Sequence, residues 1–502
     1  MTPEALVAPA AFSATRRRVR DGARFCALVA SQQGGLREDG SAECGVQLLA
    51  ICSKDGTLAV EEHAVPASER RYPSLTPDIP AAAWYERRVR DLFGVEPLGH
   101  PRPDPLVLPL APGAVAPLGP GGDPQEALSV HAGPLPPHVH GEGVFTIPYG
   151  PVRSGVFEAV EYVVETSGED VPHLRTRIFY KHRGVDSHFA GMAFDDGVLL
   201  AEREEGPASV AHALAFSHAV ERLTGIAVPF PSELVRVVHA ELERVANHLD
   251  SMIRHTEAAG QAVAYAVLSH HKERVQRLRA RLCGSRFGRG VVVPGGVSRG
   301  LALAPAEVLH EVAVLSHEID EDASRLMDTP SFVDRLRGTG VLSPDDARRF
   351  AVVGPVGRAS GQHEDVRTSR PYGAYERLGH RIAHRYDRGD ALCRQRVRID
   401  EIAGAFHLVR QAVDLLDGLD EPDDWRVGVP AGSGRALGWA ESPQGELLSI
   451  VEADHGRLTQ VTQRSAGFHN LAAYSAAFPK DVFTDIAFIE ASFGLSIAGA
   501  AG

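Results

Sequence analysis

Cysteine is scarce. The 502 residues hold five (Cys26, Cys44, Cys52, Cys283 and Cys393), an odd number with no C-x-x-C spacing. That pattern argues against a disulfide framework and against a zinc or iron–sulfur site within this chain. Long apolar runs are missing as well: no stretch reaches about 18 apolar residues, so none is expected to span a bilayer. An excess of positive charge is also missing. At −13 the net charge argues against a nucleic-acid partner, because neutralising phosphates needs a basic face. The opening MTPEALVAPAAFSATRRRVR sets its mild apolar stretch ahead of the arginines, the reverse of a secretory signal, so a cytoplasmic chain is expected.

What is present reads as a soluble globular chain, 44% hydrophobic and 23% charged. Its length allows roughly two to four domains. Segments FCALVAS and GVQLLAICS in the first unit, residues 1–109, are short, apolar and bounded by Gly, Ser and charge, as buried strands are. Residues 110–142 are crowded with Pro and Gly and read as an inter-domain linker, with His131, His138 and His140 as solvated linker histidines. Beyond it, FEAVEYVVETSGE (157–169) alternates and then turns, which predicts a hairpin.

From Ser209 the pattern becomes helical. Ser209 is expected to cap VAHALAFSHAVERLT, and Gly225 to stop it. A second helix begins near Ser232 and buries one stripe, through Leu234, Val238, Leu242, Val245 and Leu249. A third, at about 266–282, carries Lys272, Arg274, Arg277, Arg279 and Arg281 and reads as a solvated basic face, with docking to an acidic partner as the alternative. Further helices are expected at 305–327 and 396–417. The fold class is α+β: a small N-terminal α/β domain joined to a larger helix-rich domain, 143–502.

Two stretches carry a resemblance. WYERRVRDLFGVEPLGHP (84–101) resembles the signature of the C subunit of bacterial respiratory complex I, with Glu86, Arg87, Asp91, Phe93, Gly94, Gly99, His100 and Pro101 matching. The second half resembles the large subunit of group 4 membrane-bound [NiFe] hydrogenases and the related complex I D subunit. Its matching pieces, in family order, are 150–162, 179–186, 218–229, 239–250, 291–297 and 353–361. The fused layout is similar to the large subunit of formate hydrogenlyase-type complexes.

The resemblance implies a Ni–Fe pair held by four thiolates, from R-x-C-G-x-C and D-P-C-x-x-C motifs. Here REEGPA puts Glu205 and Ala208 at the first two positions, and EASFGL (490–495) puts Ser492 and Leu495 at the others. Gln444 stands where the family's supporting arginine is expected. Cys283, in a stray R-x-C-G, reads as structural.

One reading closes the old cavity with these residues, and the other makes it a carboxylate site. In the second, Glu204, Glu205, Glu490 and Asp186 converge, with His182 nearby, as a proton relay or a site for a hard cation. Glu204 alone reads as a surface salt bridge, and His212 and His248 as structural. Quinone ligands of the family are not kept. Arg153 remains, in the role of a salt-bridge partner.

The resemblance therefore implies a degenerate, energy-converting hydrogenase-related subunit with no cofactor of its own. Its implied partners are an iron–sulfur small subunit and antiporter-like membrane subunits, on the cytoplasmic face of the inner membrane. The alternative is an active oxidoreductase subunit that passes electrons from a partner's cluster to quinone or protons.

Overall fold

Alternating small and branched apolar residues make the first three strands. In the computed structural model they form an antiparallel sheet, Arg24–Leu36, Ala42–Lys54 and Thr57–Val65, in sequence order. The structure describes residues 11–36, 42–111, 113–123, 133, 139, 141, 143–153, 158–380 and 386–502. His131, His138 and His140 lie outside these.

The complex I-like signature forms the Ala83–Phe93 helix and the turn after it. Its two acidic residues are structural. Glu86, fully buried, accepts from the amides of Leu75 and Thr76 and from the hydroxyls of Ser74 and Thr76. Asp91 accepts from the amides of Leu106, Val107 and Leu108, fixing the loop at 106–108. A buried carboxylate that collects several N–H donors offsets its own desolvation and pins the loops that supply them.

Where the sequence reads as a linker, part of the chain is packed. Leu118 N donates to Leu92 O, Ala116 is buried, and a Cβ on Gly119 would lie 2.4 Å from Phe93 O. Residues 116–119 are thus fastened to the signature helix. The core continues across the joint as well. Tyr85 stacks edge-on against Phe468 at 5.0 Å, and its hydroxyl lies 2.6 Å from His469 Nδ1. Phe25, Leu48 and Tyr85 share one apolar cluster with Phe468, Phe493 and Ile497 from the last 40 or so residues.

Three strands, Phe145–Tyr149, Glu161–Thr166 and His173–Arg177, form an antiparallel sheet that contains the expected hairpin. The helical body follows: Ser209–Thr224, Phe230–Ala258, Ala262–Cys283, Pro305–Met327 and Ala391–Asp417. A second meander, Gly434–Ser442, Gly445–Asp454 and Arg457–Arg464, packs on the first of these helices.

Three expectations are corrected here. Ser209 does not cap its helix but is its first residue; the cap is the Glu243 carboxylate, accepting from Val210 N (2.8 Å) and Ala211 N (3.0 Å). An acid from the neighbouring helix thus satisfies two orphan amides at the positive end of the dipole. The Phe230–Ala258 helix buries more than one stripe: Arg236, Glu241, Glu243 and Arg244 are enclosed along with Leu234 and Val238. Finally, the basic helix has few free cations. Lys272, Arg274 and Arg281 are paired with Asp250, Glu318, and Glu307 and Glu311, and Arg279 is buried beside Glu243. Among the described residues no helix is long and apolar enough to cross a membrane.

Candidate functional site

Two chain segments meet where the resemblance places the metal. The first is the loop and 3-10 turn at 203–208 that enters the Ser209–Thr224 helix. The second is the Ile486–Phe493 helix with the short Ile497–Ala501 helix after it. Pro207 from one and Leu495 from the other line a cavity of about 70 Å³, together with Gln444 and Glu490.

The four positions for thiolates carry no sulfur donor, and their side chains are otherwise engaged. Ala208 is fully buried and contributes a methyl group. Ser492 Oγ donates to Ile489 O (2.7 Å) and accepts from Arg394 Nε (2.9 Å). Leu495 gives a hydrocarbon wall. Glu205 points away, its Oε2 where a Cβ on Gly499 would come within 2.2 Å. A Ni–Fe pair needs soft, deprotonated sulfur at all four places, so this donor set does not fit it. Gln444 is buried and its Oε1 has no hydrogen-bond partner.

Glu205 is instead part of an acid–base group. It is 1% exposed, and its Oε1 lies 3.3 Å from His212 Nε2. On the other side of the ring, His212 Nδ1 faces Gln463 Oε1, whose orientation is set by Gln463 Nε2 donating to His212 O. Both ring nitrogens thus face acceptors, which suits the imidazolium. Burial opposes that charge, but the Glu205 carboxylate outweighs it and holds His212 above its usual range.

Glu204, also 1% exposed, has no hydrogen-bond partner for Oε2 among the described residues. Burial, and next the charge of Asp186, push its carboxyl up to about 7. This corrects its reading as a surface salt bridge. Asp186 is held by Arg88 from the signature helix, so the ion pair crosses the joint between the two units. His182 bonds through Nδ1 to Ala501 O at 2.6 Å, and burial lowers its pKa.

Glu490 stands apart from this group. Arg153 grips both its oxygens (2.7 and 2.8 Å), and Tyr162 OH donates to it (2.9 Å). The structure therefore gathers Asp186, Glu204 and Glu205 in one neighbourhood and leaves Glu490 in another. Among the described residues no group of three or more His, Cys, Asp or Glu side chains is placed to hold a metal ion. Sequence reasoning took His212 as structural and left out its pairing with Glu205. Its place in the first turn after REEGPA, seven residues beyond Glu205, was the signal available.

Comparison with known proteins agrees with the architecture. The profile for respiratory-chain NADH dehydrogenase, 30 Kd subunit, matches residues 5–118, and that for the 49 Kd subunit matches residues 259–430. Formate hydrogenlyase subunit 5 of Escherichia coli is 29% identical over 82% of this chain and 73% of its own length. Carbon monoxide-induced hydrogenase of Rhodospirillum rubrum is 30% identical over 62% of this chain and 86% of its own. NADH-quinone oxidoreductase subunit 4 of Thermus thermophilus is 31% identical over 55% and 67%.

Proposed function

The chain belongs to the family that unites the 30 kDa and 49 kDa subunits of respiratory-chain NADH dehydrogenase with the large subunits of related hydrogenases, and from that premise we propose that it serves a membrane-associated energy-converting complex without a Ni–Fe centre of its own. One observation carries the reading: the four positions for thiolates hold Glu205, Ala208, Ser492 and Leu495, and none can supply sulfur. The subunit sits on the cytoplasmic face of the inner membrane. Its partners are an iron–sulfur small subunit, which carries the cluster, and antiporter-like membrane subunits.

In this role the subunit passes on a conformational or protonic change. Glu204 and His212 are the groups that hold protons, with the Glu205 carboxylate facing His212, and Asp186 with His182 leads toward the surface. The Arg88–Asp186 pair ties their charge to the position of the N-terminal unit. Glu490, locked by Arg153 and Tyr162, ties the Ile486–Phe493 helix to the Glu161–Thr166 strand and the turn before it.

The test is elemental analysis of the anaerobically purified complex, beside hydrogen evolution from a reduced dye. No nickel in this subunit and no hydrogen are expected. Stoichiometric nickel in this subunit, or hydrogen turnover abolished by Glu205→Gln, overturns the reading in favour of an active oxidoreductase subunit.

A further inference from the structure

Away from the former metal position lies a second group of buried charges, between the Phe230–Ala258 and Ala391–Asp417 helices and the start of the second meander. Four carboxylates (Glu241, Asp365, Glu401, Glu441) share three guanidiniums (Arg244, Arg358, Arg367), and no side chain among them is more than 10% exposed.

The sharing is uneven. Arg367 is spent on Asp365 (2.7 and 3.1 Å) and on both oxygens of Glu241 (3.0 Å each). Arg244 gives one bond to Glu241 and two to the main-chain carbonyls of Glu441 and Ser442. Arg358 is divided: it faces Glu401 at 2.7 Å, Glu441 at 2.9 Å and Asp365 at 3.5 Å. Glu401 also has His248 (2.8 Å), Asp365 has His380 (3.3 Å), and Glu241 accepts from Tyr375 OH. Among the described residues the Glu441 carboxylate accepts only from a share of Arg358 and from Val366 N at 3.2 Å. The nearby Tyr372 hydroxyl oxygen accepts from the Glu441 main-chain amide.

Across the hairpin, Glu446 is enclosed by Arg24, Arg370 and Arg464, which hold its carboxyl well below the usual range. Those cations are turned toward Glu446, and Arg24 also toward Glu364. Glu441 is thus the least compensated carboxylate in the network. It also lines a cavity of about 860 Å³ between the N-terminal sheet and residues 345–369.

We infer that Glu441 is a buried proton-binding site, and that its proton enters and leaves through the cleft between the N-terminal sheet and the 345–369 segment. The step is proton transfer alone, from solvent in the cleft to a carboxylate oxygen, and takes the group from −1 to neutral. Burial, and next the neighbouring Asp365 charge, set its midpoint at about 7, where both states are populated at neutral pH. Loading it relieves Arg358 of one of three carboxylates. That guanidinium also donates to Glu364 O, and Glu364 is the residue that Arg24 of the N-terminal sheet grips, so the proton acts on the contact between the units. This inference stands whether or not the subunit binds nickel.

The experiment is infrared difference spectroscopy of the full chain across neutral pH. The protonated-carboxyl C=O band should titrate with a midpoint near 7 and lose one component in Glu441→Gln. Asp365→Asn removes the opposing charge and should lower that midpoint by about one pH unit. In deuterated buffer the component should shift on mixing, ahead of the amides of the Phe230–Ala258 helix. An unchanged band in Glu441→Gln, a midpoint that stays or rises in Asp365→Asn, or deuteration as slow as those amides overturns the inference. Where Glu441→Gln does not fold, Glu441→Asp should move the component instead of deleting it, and a component left in place counts against the site equally.

Discussion

Replacing Glu204 by glutamine keeps the shape of the side chain and removes its titration. In the native protein burial, followed by the charge of Asp186, raises this carboxyl from the usual 4.5 to about 7. A rise of that size is worth about 3 kcal/mol. With 1% of the residue exposed, solvent screening takes little from it. The sign follows from proton linkage. Between about 4.5 and about 7 the folded state binds the proton that the unfolded state has released, so native stability falls as pH climbs through that window, and levels off above it. Glu204→Gln carries no such loss. It should therefore match the native protein near the low end of the window and exceed it by up to about 3 kcal/mol at pH 8. Thermal melts of both proteins over a pH series measure the gap, which should grow to a few degrees for a chain of this size. The other carboxyls with raised pKa values, Asp91, Glu202, Glu233, Glu243, Glu441 and Asp481, cancel in the difference. A variant less stable than the native protein at pH 8, or a gap that does not change with pH, refutes the reasoning. Either result would mean that Glu204 is ionised and paired.

Gly499→Ala should cost roughly 1–3 kcal/mol in chemical denaturation, because its Cβ would meet the Glu205 carboxylate and force it off His212. A shift of the His212 ring resonances should accompany the loss, and silence in both measurements would show that Glu205 is not seated there. Arg358→Ala should cost at least about 3 kcal/mol, since it takes away the one guanidinium that, among the described residues, grips the buried Glu441 carboxylate and removes a cation from Glu401 and Asp365. Arg281→Ala, on the exposed face of its helix, should leave the melting temperature unchanged; equal losses from the two would contradict the division into buried and surface networks. Limited proteolysis should spare 116–119, which are fastened to the signature helix, although Pro and Gly crowd the sequence there. Early cleavage inside Phe230–Ala258 would be incompatible with the central place of that helix.

The elements were legible where local pattern decides them. Spacing placed helices near 232, 266 and 305, and the structure has them at Phe230–Ala258, Ala262–Cys283 and Pro305–Met327. Gly225 ends its helix with φ at 68°, a left-handed turn that Gly adopts without strain. What spacing did not reveal was set by residues distant in the chain. No local rule makes Glu243 the cap of a helix that begins 34 residues before it. Nor does hydropathy show that Arg236, Glu241 and Arg244 are interior, since periodicity assigns charged positions to solvent. They are enclosed because arginines and glutamates from other segments neutralise them. The same holds for the joint, where composition suggested a free linker and the apolar cluster instead runs through it.

The candidate site divides along the same line. The departure from the thiolate motifs that the resemblance implies could be read because metal ligation fixes residue type and spacing together, and a break in such a pattern shows at once. The residues that took over obey a weaker constraint. A carboxylate can be compensated by any donor the fold brings near, so Glu490 pairs with Arg153 across 337 positions, and Asp186 with Arg88 across 98. Glu205 has the one local partner, His212, and both lie within ten residues of each other. A buried Glu with a histidine one helical turn into the next element is thus the part of such a site that a sequence can disclose. Glu204 beside it is not disclosed, because its distinction is the lack of a partner, and only packing can show that.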